Sequence, residues 1–424
     1  MSQLLNGQFM IKGLAIAVTT LMVSTAHAAK TEQQQIQELR QEVEALKSLI
    51  QQQQQVQQQQ QTQIAQVQQA KPAAPASALS SLKSKSGADV SIYGFVRGDA
   101  NYIIDGADDD FNATHKTGTT NVQDKLRATA KVTRLGLDFN TPVGDNKVGG
   151  KVEVDFASGA AENLRIRHAY LTLNNWLFGQ TTSNFLSNHA PEMIDFNTNV
   201  GGGTARVPQV RYSQKLAPAT QLFVSAEEGN SSAGTVSTST PVTYRAPVLT
   251  AKVTQGFADG KGLASARALV EHYKSEAAND DKTGWGAAVG TNYQVAEPLK
   301  VSADVSYVKG NSNYLYGNNS AFVVDGNSIE QNETIGVQVG ATYKFSPQLR
   351  STLAYGALFA DDGTDYARLN TGANEKVQQA WINFIYSPVK PVDLGIEYLN
   401  GERETFAGEK FSDDRVGFMA RYSF

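Results

Sequence analysis

Arg415-Val-Gly-Phe-Met-Ala-Arg-Tyr-Ser-Phe424, the last ten residues, govern how the rest of the chain is read. Val416, Phe418, Ala420, Tyr422 and Phe424 form one apolar row. Arg415, Gly417, Met419, Arg421 and Ser423 form a mostly polar one. An extended strand points alternate side chains to opposite faces, so this segment offers one face to a greasy surface and one to water. Such a strand, ending on an aromatic, fits the wall of a transmembrane β-barrel. An edge strand of a soluble sandwich would show the same alternation, so the remainder of the chain must decide.

Working outward, the period of two persists from Asp89 to the end. Val90, Ile92, Gly94, Val96, Gly98, Ala100 and Tyr102 alternate with Ser91, Tyr93, Phe95, Arg97, Asp99 and Asn101. The same rhythm recurs at Val148–Phe156, Trp285–Tyr293, Leu299–Tyr307, Ile335–Phe345 and Val392–Tyr398. Aromatics stand at the row ends, where membrane interfaces would lie. Short connections (Pro142–Asp145, Ala217–Ala219, Ala258–Lys261, Ala296–Pro298, Pro388–Pro391) alternate with long ones (Asp105–Gln123, Thr182–Val207, Asn311–Glu333, Asp361–Glu375). That is the pattern of periplasmic turns and external loops. The expected fold is all-β and transmembrane, an antiparallel β-barrel of about sixteen strands over residues 89–424. Its second strand is irregular: Leu126–Val132 and Leu135–Phe139 are out of phase, which requires a bulge or a longer loop.

Composition agrees. The 424 residues contain no cysteine, which excludes disulfides and thiolate metal sites, and the net charge of −4 argues against a nucleic-acid partner. Charged residues are only 18%, while 36 Gly, 16 Tyr and 18 Phe suit strands, tight turns and aromatic girdles. No long apolar run follows the amino terminus, which excludes a helical membrane protein but not a barrel.

The amino terminus reads as an export segment. Lys12, the apolar run Gly13–Val23 and the small residues up to Ala28 have the layout of a signal peptide, residues 1–28. Residues 30–70 read as a coiled coil. Ile36, Leu39, Val43, Leu46 and Ile50 repeat at spacings of three and four, and the frame continues through glutamines to Ile64 and Val67. A helix of that length spans roughly 60 Å, reaching far into the periplasm. A disordered Gln-rich tract is the alternative. Residues 71–88, rich in Pro, Ala and Ser, form a flexible linker.

Enzyme motifs are missing: no G-x-S-x-G, P-loop or H-E-x-x-H occurs, and the histidines are scattered. No catalytic residue, cofactor site or metal site is expected. Gly201-Gly202-Gly203 reads as a flexible loop. What remains is charge facing the lumen. Arg165 and Arg167 share one face of Leu164–Leu173, and Arg134 sits on the polar row before the first turn. Arg206 and Arg211 flank the strand returning from Thr182–Val207, and Lys252 lies on a later polar row. Fixed cations in a narrow pore attract anions and can grip carboxylates, with Glu192 and Asp195 on the long loop opposing them. Each arginine could equally be a wall charge paired to a neighbouring carboxylate. Asp108–Asp110 and Asp361-Asp362 read as solvated loop charge, with ion bridging to lipopolysaccharide as a minor alternative.

Arg165-Ile-Arg-His-Ala-Tyr-Leu171 and Phe178-Gly-Gln-Thr-Thr-Ser-Asn-Phe185 resemble the paired strands leading into the constriction loop of sixteen-stranded trimeric porins. The resemblance implies that Thr182–Val207 folds inward. The whole chain, including Asp89-Val-Ser-Ile-Tyr-Gly-Phe-Val-Arg97 and the final Phe, resembles the DcaP-like porins. That implies a homotrimer taking up small anionic solutes, dicarboxylates among them, set in outer-membrane lipid and lipopolysaccharide. It also implies that assembly machinery reads the last strand, with peptidoglycan a candidate target of the coiled coil. A non-selective porin and an envelope-tethering barrel are the rival functions.

Overall fold

The computed structural model describes residues 82–85, 87–158, 163–187, 189–229, 242–276 and 278–424. The expected signal peptide and coiled coil, and two thirds of the linker, lie outside these. Alternation along the backbone produces one ring of sixteen staves, each antiparallel to its neighbours. The first eight are Asp89–Ala107, Asn121–Thr129 continued by Arg134–Val143, Asn146–Ser158, Asn163–Leu173, Trp176–Thr182, Arg206–Ala217, Thr220–Glu227, and Val242–Tyr244 continued by Val248–Phe257. The second eight are Gly262–Ser275, Asp280–Ala296, Leu299–Lys309, Glu333–Lys344, Leu349–Ala360, Asn374–Tyr386, Val392–Thr405 and Lys410–Ser423.

The ring closes where the last stave meets the first. Val96 pairs with Tyr422 and Ala100 with Phe418, and Phe424 and Gly94 exchange backbone hydrogen bonds of 3.0 and 3.1 Å. Closure removes free edges, without which a sheet in lipid would leave backbone groups unpaired. Phe418, Tyr422 and Phe424 point outward, each about half exposed, beside a belt of Val, Leu and Ile from most staves. All connections at the end bearing both staves' outer ends, such as Gly144-Asp145 and Glu297-Pro298, are short. The opposite end carries 108–120, 183–205, 310–332 and 361–373.

The irregular second stave is one strand interrupted by Ala130–Thr133: the first stave pairs its two parts in turn, Asp99–Ala107 with the upper and Asp89–Phe95 with the lower. The fourth stave holds a second irregularity. Glu153 pairs with His168 but Val154 with Ile166, so Arg167 is the extra residue of a bulge. The outward row accordingly switches from Leu164 and Ile166 to Leu171 and Leu173.

Candidate functional site

The loop 183–205 runs along the inner wall, bonded to inward side chains of one stave after another. Asn184 Nδ2 donates to Ser225 Oγ on the seventh stave at 2.7 Å. Ser187 Oγ donates to Asp304 on the eleventh at 2.7 Å, and His189 Nε2 meets Ser265 Oγ on the ninth at 2.8 Å. Arg350 on the thirteenth grips Glu192 through two nitrogens, at 2.8 and 2.9 Å. Trp381 and Asn383 on the fourteenth donate to the Glu192 carbonyl. Glu397 on the fifteenth accepts the backbone N–H groups of Ile194 (2.8 Å) and Asp195 (3.1 Å), with Thr198 Oγ1 and Asn383 Nδ2 completing its shell.

The glycine run serves this fit and does not act as a flexible loop. Gly201 and Gly202 are buried. A Cβ on Gly201, at φ +82°, would stand 2.2 Å from the Val337 carbonyl oxygen. Wall glycines give way in return: a Cβ on Gly356 would lie 2.2 Å from Val200 O. The loop 310–332, expected to be only external, packs Tyr314 and Leu315 into the same apolar cluster as Phe185, Leu186 and Val200. Apolar loop residues gain more from that contact than from water.

Opposite this lining, a cavity of about 690 Å³ opens between the loop (Met193, Phe196) and the wall (Arg134, Arg165, Arg167, Arg206). Four of the eight sequence-derived site residues therefore share one space. Their electrostatics differ. Arg165 holds Asp155 by two bonds, 2.8 and 2.7 Å, across the register pair Asp155–Arg165. Arg167 holds Glu153 at 2.7 Å and Asp155 at 3.0 Å. These two are wall charges with dedicated partners. Arg134 lies 3.5 Å from Glu153 and over the ring of Phe95, and its buried Nε has no hydrogen-bond partner. Arg206 donates to the Thr204 carbonyl at 3.1 Å, and its Nε too is buried without a partner.

The other four lie elsewhere. Arg211 donates to the Thr182 carbonyl and to Gln209, and Lys252 sits 5.3 Å from the Phe223 ring centre. Glu192 is taken by Arg350. Asp195 does not face the arginines: it is buried, accepting the N–H groups of Asn112 and Asn197 at 2.7 and 2.8 Å. Burial pushes its carboxyl up to about 6, against the pull of Arg415. Arg415 itself is buried on Asp413.

Sequence reasoning passed over Arg127 and Lys131, which line the same cavity. It also read Asp108 and Asp110 as solvated, whereas both are ion-paired to those cations. The inward row Lys125, Arg127 on the second stave was the available signal.

The profile of the DcaP outer membrane protein family matches residues 20–424. The chain belongs to that family. It is 69% identical to the outer membrane channel DcaP of Acinetobacter baumannii, whose crystal structure it matches with a TM-score of 0.79 over 82% of this chain and all of that one. An anion-selective porin from Comamonas acidovorans (12% identity, TM-score 0.54, 80% and 100% covered) shares the fold. So does OmpT of Vibrio cholerae (14%, TM-score 0.52, 81% and 99%). No curated protein matches. With its closed ring of sixteen staves, this family member is an outer-membrane channel.

Proposed function

We propose that the channel is anion-selective and passes small anionic solutes, dicarboxylates by preference, through each barrel of a homotrimer. The observation that carries this is the pair Arg134 and Arg206, two guanidinium groups lining one cavity: Arg134 keeps only a 3.5 Å contact to Glu153, and Arg206 meets no carboxylate among the described residues. Glu153 and Asp155 neutralise much of Arg165 and Arg167, so the local field rests on the other two. A guanidinium offers a carboxylate a planar fork of donors, and a second one on the same wall would take a second carboxylate.

Reversal potentials in planar bilayers, with block of the current by succinate, test the reading. Anion preference and concentration-dependent block are expected. Cation preference without block would sink it. The pairing of Arg165 and Arg167 favours one rival, a non-selective porin, and the same recordings separate the two. Residues 30–70, as a periplasmic coiled coil, would add an envelope-spacing role.

A further inference from the structure

We infer that Asp108 and Asp110 act as a tethered dicarboxylate, occupying the cations at the edge of the cavity until a permeating dianion displaces them. The inference rests on the anion-passage reading above. Arg127 binds one oxygen from each aspartate: Nη1 donates to Asp108 Oδ1 and Nε to Asp110 Oδ1, both at 2.7 Å. The two outer oxygens are taken by Lys125 Nζ on Asp108 and Lys131 Nζ on Asp110, again at 2.7 Å. Two carboxylates bridged by a guanidinium and flanked by two ammonium groups is the arrangement a free dicarboxylate would seek in the same cavity.

The pairs are placed for exchange. Asp108 and Asp110 keep 27% and 20% of their side-chain surface open, and Arg127 keeps 31%. Ion pairs left this open to water are screened, so a solute can replace them more readily than sealed ones. By contrast Arg97–Asp99 and Arg267–Asp304 are sealed, with side chains no more than 2% exposed. Asp108, Asp110, Arg127 and Lys131 line the cavity that also holds Arg134 and Arg206, so a displaced aspartate leaves its cations facing the same space.

Holding the loop in place falls to other residues. Asn112 N–H is bonded to Asp195 Oδ2 at 2.7 Å, Asn112 Nδ2 to Thr198 Oγ1 at 2.7 Å, and Thr114 Oγ1 to Asp413 Oδ2 at 2.8 Å. Asp108 and Asp110 can therefore let go without the segment leaving the lumen.

The full-length channel in planar bilayers, probed with succinate, tests this. In Asp108→Asn/Asp110→Asn, the apparent dissociation constant for block should fall about tenfold, as removal of an internal competitor raises the competent fraction. Asp109→Asn removes a single negative charge one residue away from the pairs and should stay near wild type. Asp108→Glu/Asp110→Glu keeps a competitor and should not tighten block. An unchanged or weakened block in the double Asn variant, or an equal gain from Asp109→Asn, would overturn the inference. Absence of block in the wild-type channel would remove the anion-passage reading and this inference together; block in wild type with no gain in the variant removes only the inference.

Discussion

From the seventh stave to the fifteenth, the inner wall is upholstered by the loop 183–205. From the second stave to the sixth it is bare and carries arginines. On the covered side, polar wall groups are spent on holding backbone: Glu397 takes two loop N–H groups, and Asn383 and Trp381 hold the Glu192 carbonyl. On the bare side, wall charges meet other wall charges or the loop aspartates 108 and 110, and two of them meet too little. A buried polar group is costly unless it is hydrogen-bonded, which explains why so many wall groups on the covered side bond to the loop. Arg134 and Arg206 also have a buried Nε without a partner, and they stand beside an open cavity, where the proposed function would have them meet the solute.

The contrast can be broken from the covered side first. Glu397→Ala would strand two buried N–H groups, a loss on the order of 3–5 kcal/mol. Single-channel conductance should rise severalfold as the loop detaches; unchanged conductance would mean the anchors are redundant. Acid acts on the same segment through Asp195. Burial raises its carboxyl from 3.8 to about 6, so its stabilising contribution is fully present below 3.8 and is lost as pH climbs through 6. Up to about 3 kcal/mol is involved at 1.36 kcal/mol per unit. Amide exchange in 194–199, corrected for intrinsic rates, should be slower at pH 5 than at pH 7.5. No difference would place Asp195 outside the loop's stability.

The bare side is tested by ranking arginines. Arg206→Ala and Arg134→Ala should each weaken succinate block about tenfold, the scale of one charge-assisted hydrogen bond. Arg165→Ala should cost less, because its guanidinium is committed to Asp155. Equal losses at all three would erase the distinction between paired and unpaired charge. Smallest of all, removing residues 30–87 should leave conductance and block unchanged. A changed block would tie the amino-terminal segment to permeation.

Much of this was legible in the residues. The two-residue period, the alternation of short and long connections and the final apolar row together imply a closed barrel, and even the break in the second stave showed as a phase slip between Leu126–Val132 and Leu135–Phe139. The arginines at 165, 167, 134 and 206 could be picked because their rows face the lumen, but the residues alone could not separate wall pairs from charges left to a solute. The bulge at Arg167 came only from the register, since Leu164–Leu173 reads as one regular strand. The loop's glycines misled, because close packing and freedom call for the same residue.

Sequence by itself determined which side chains face lipid and which face the lumen, since that follows from the geometry of one extended strand. Tertiary structure alone decided which lumen charges are cancelled and which are exposed to a solute. Asp155 meets Arg165 ten positions away, and Glu397 holds Ile194 from two hundred positions away, through the stagger of staves around the ring. Register and loop path set those meetings, and neither is a local property of the chain.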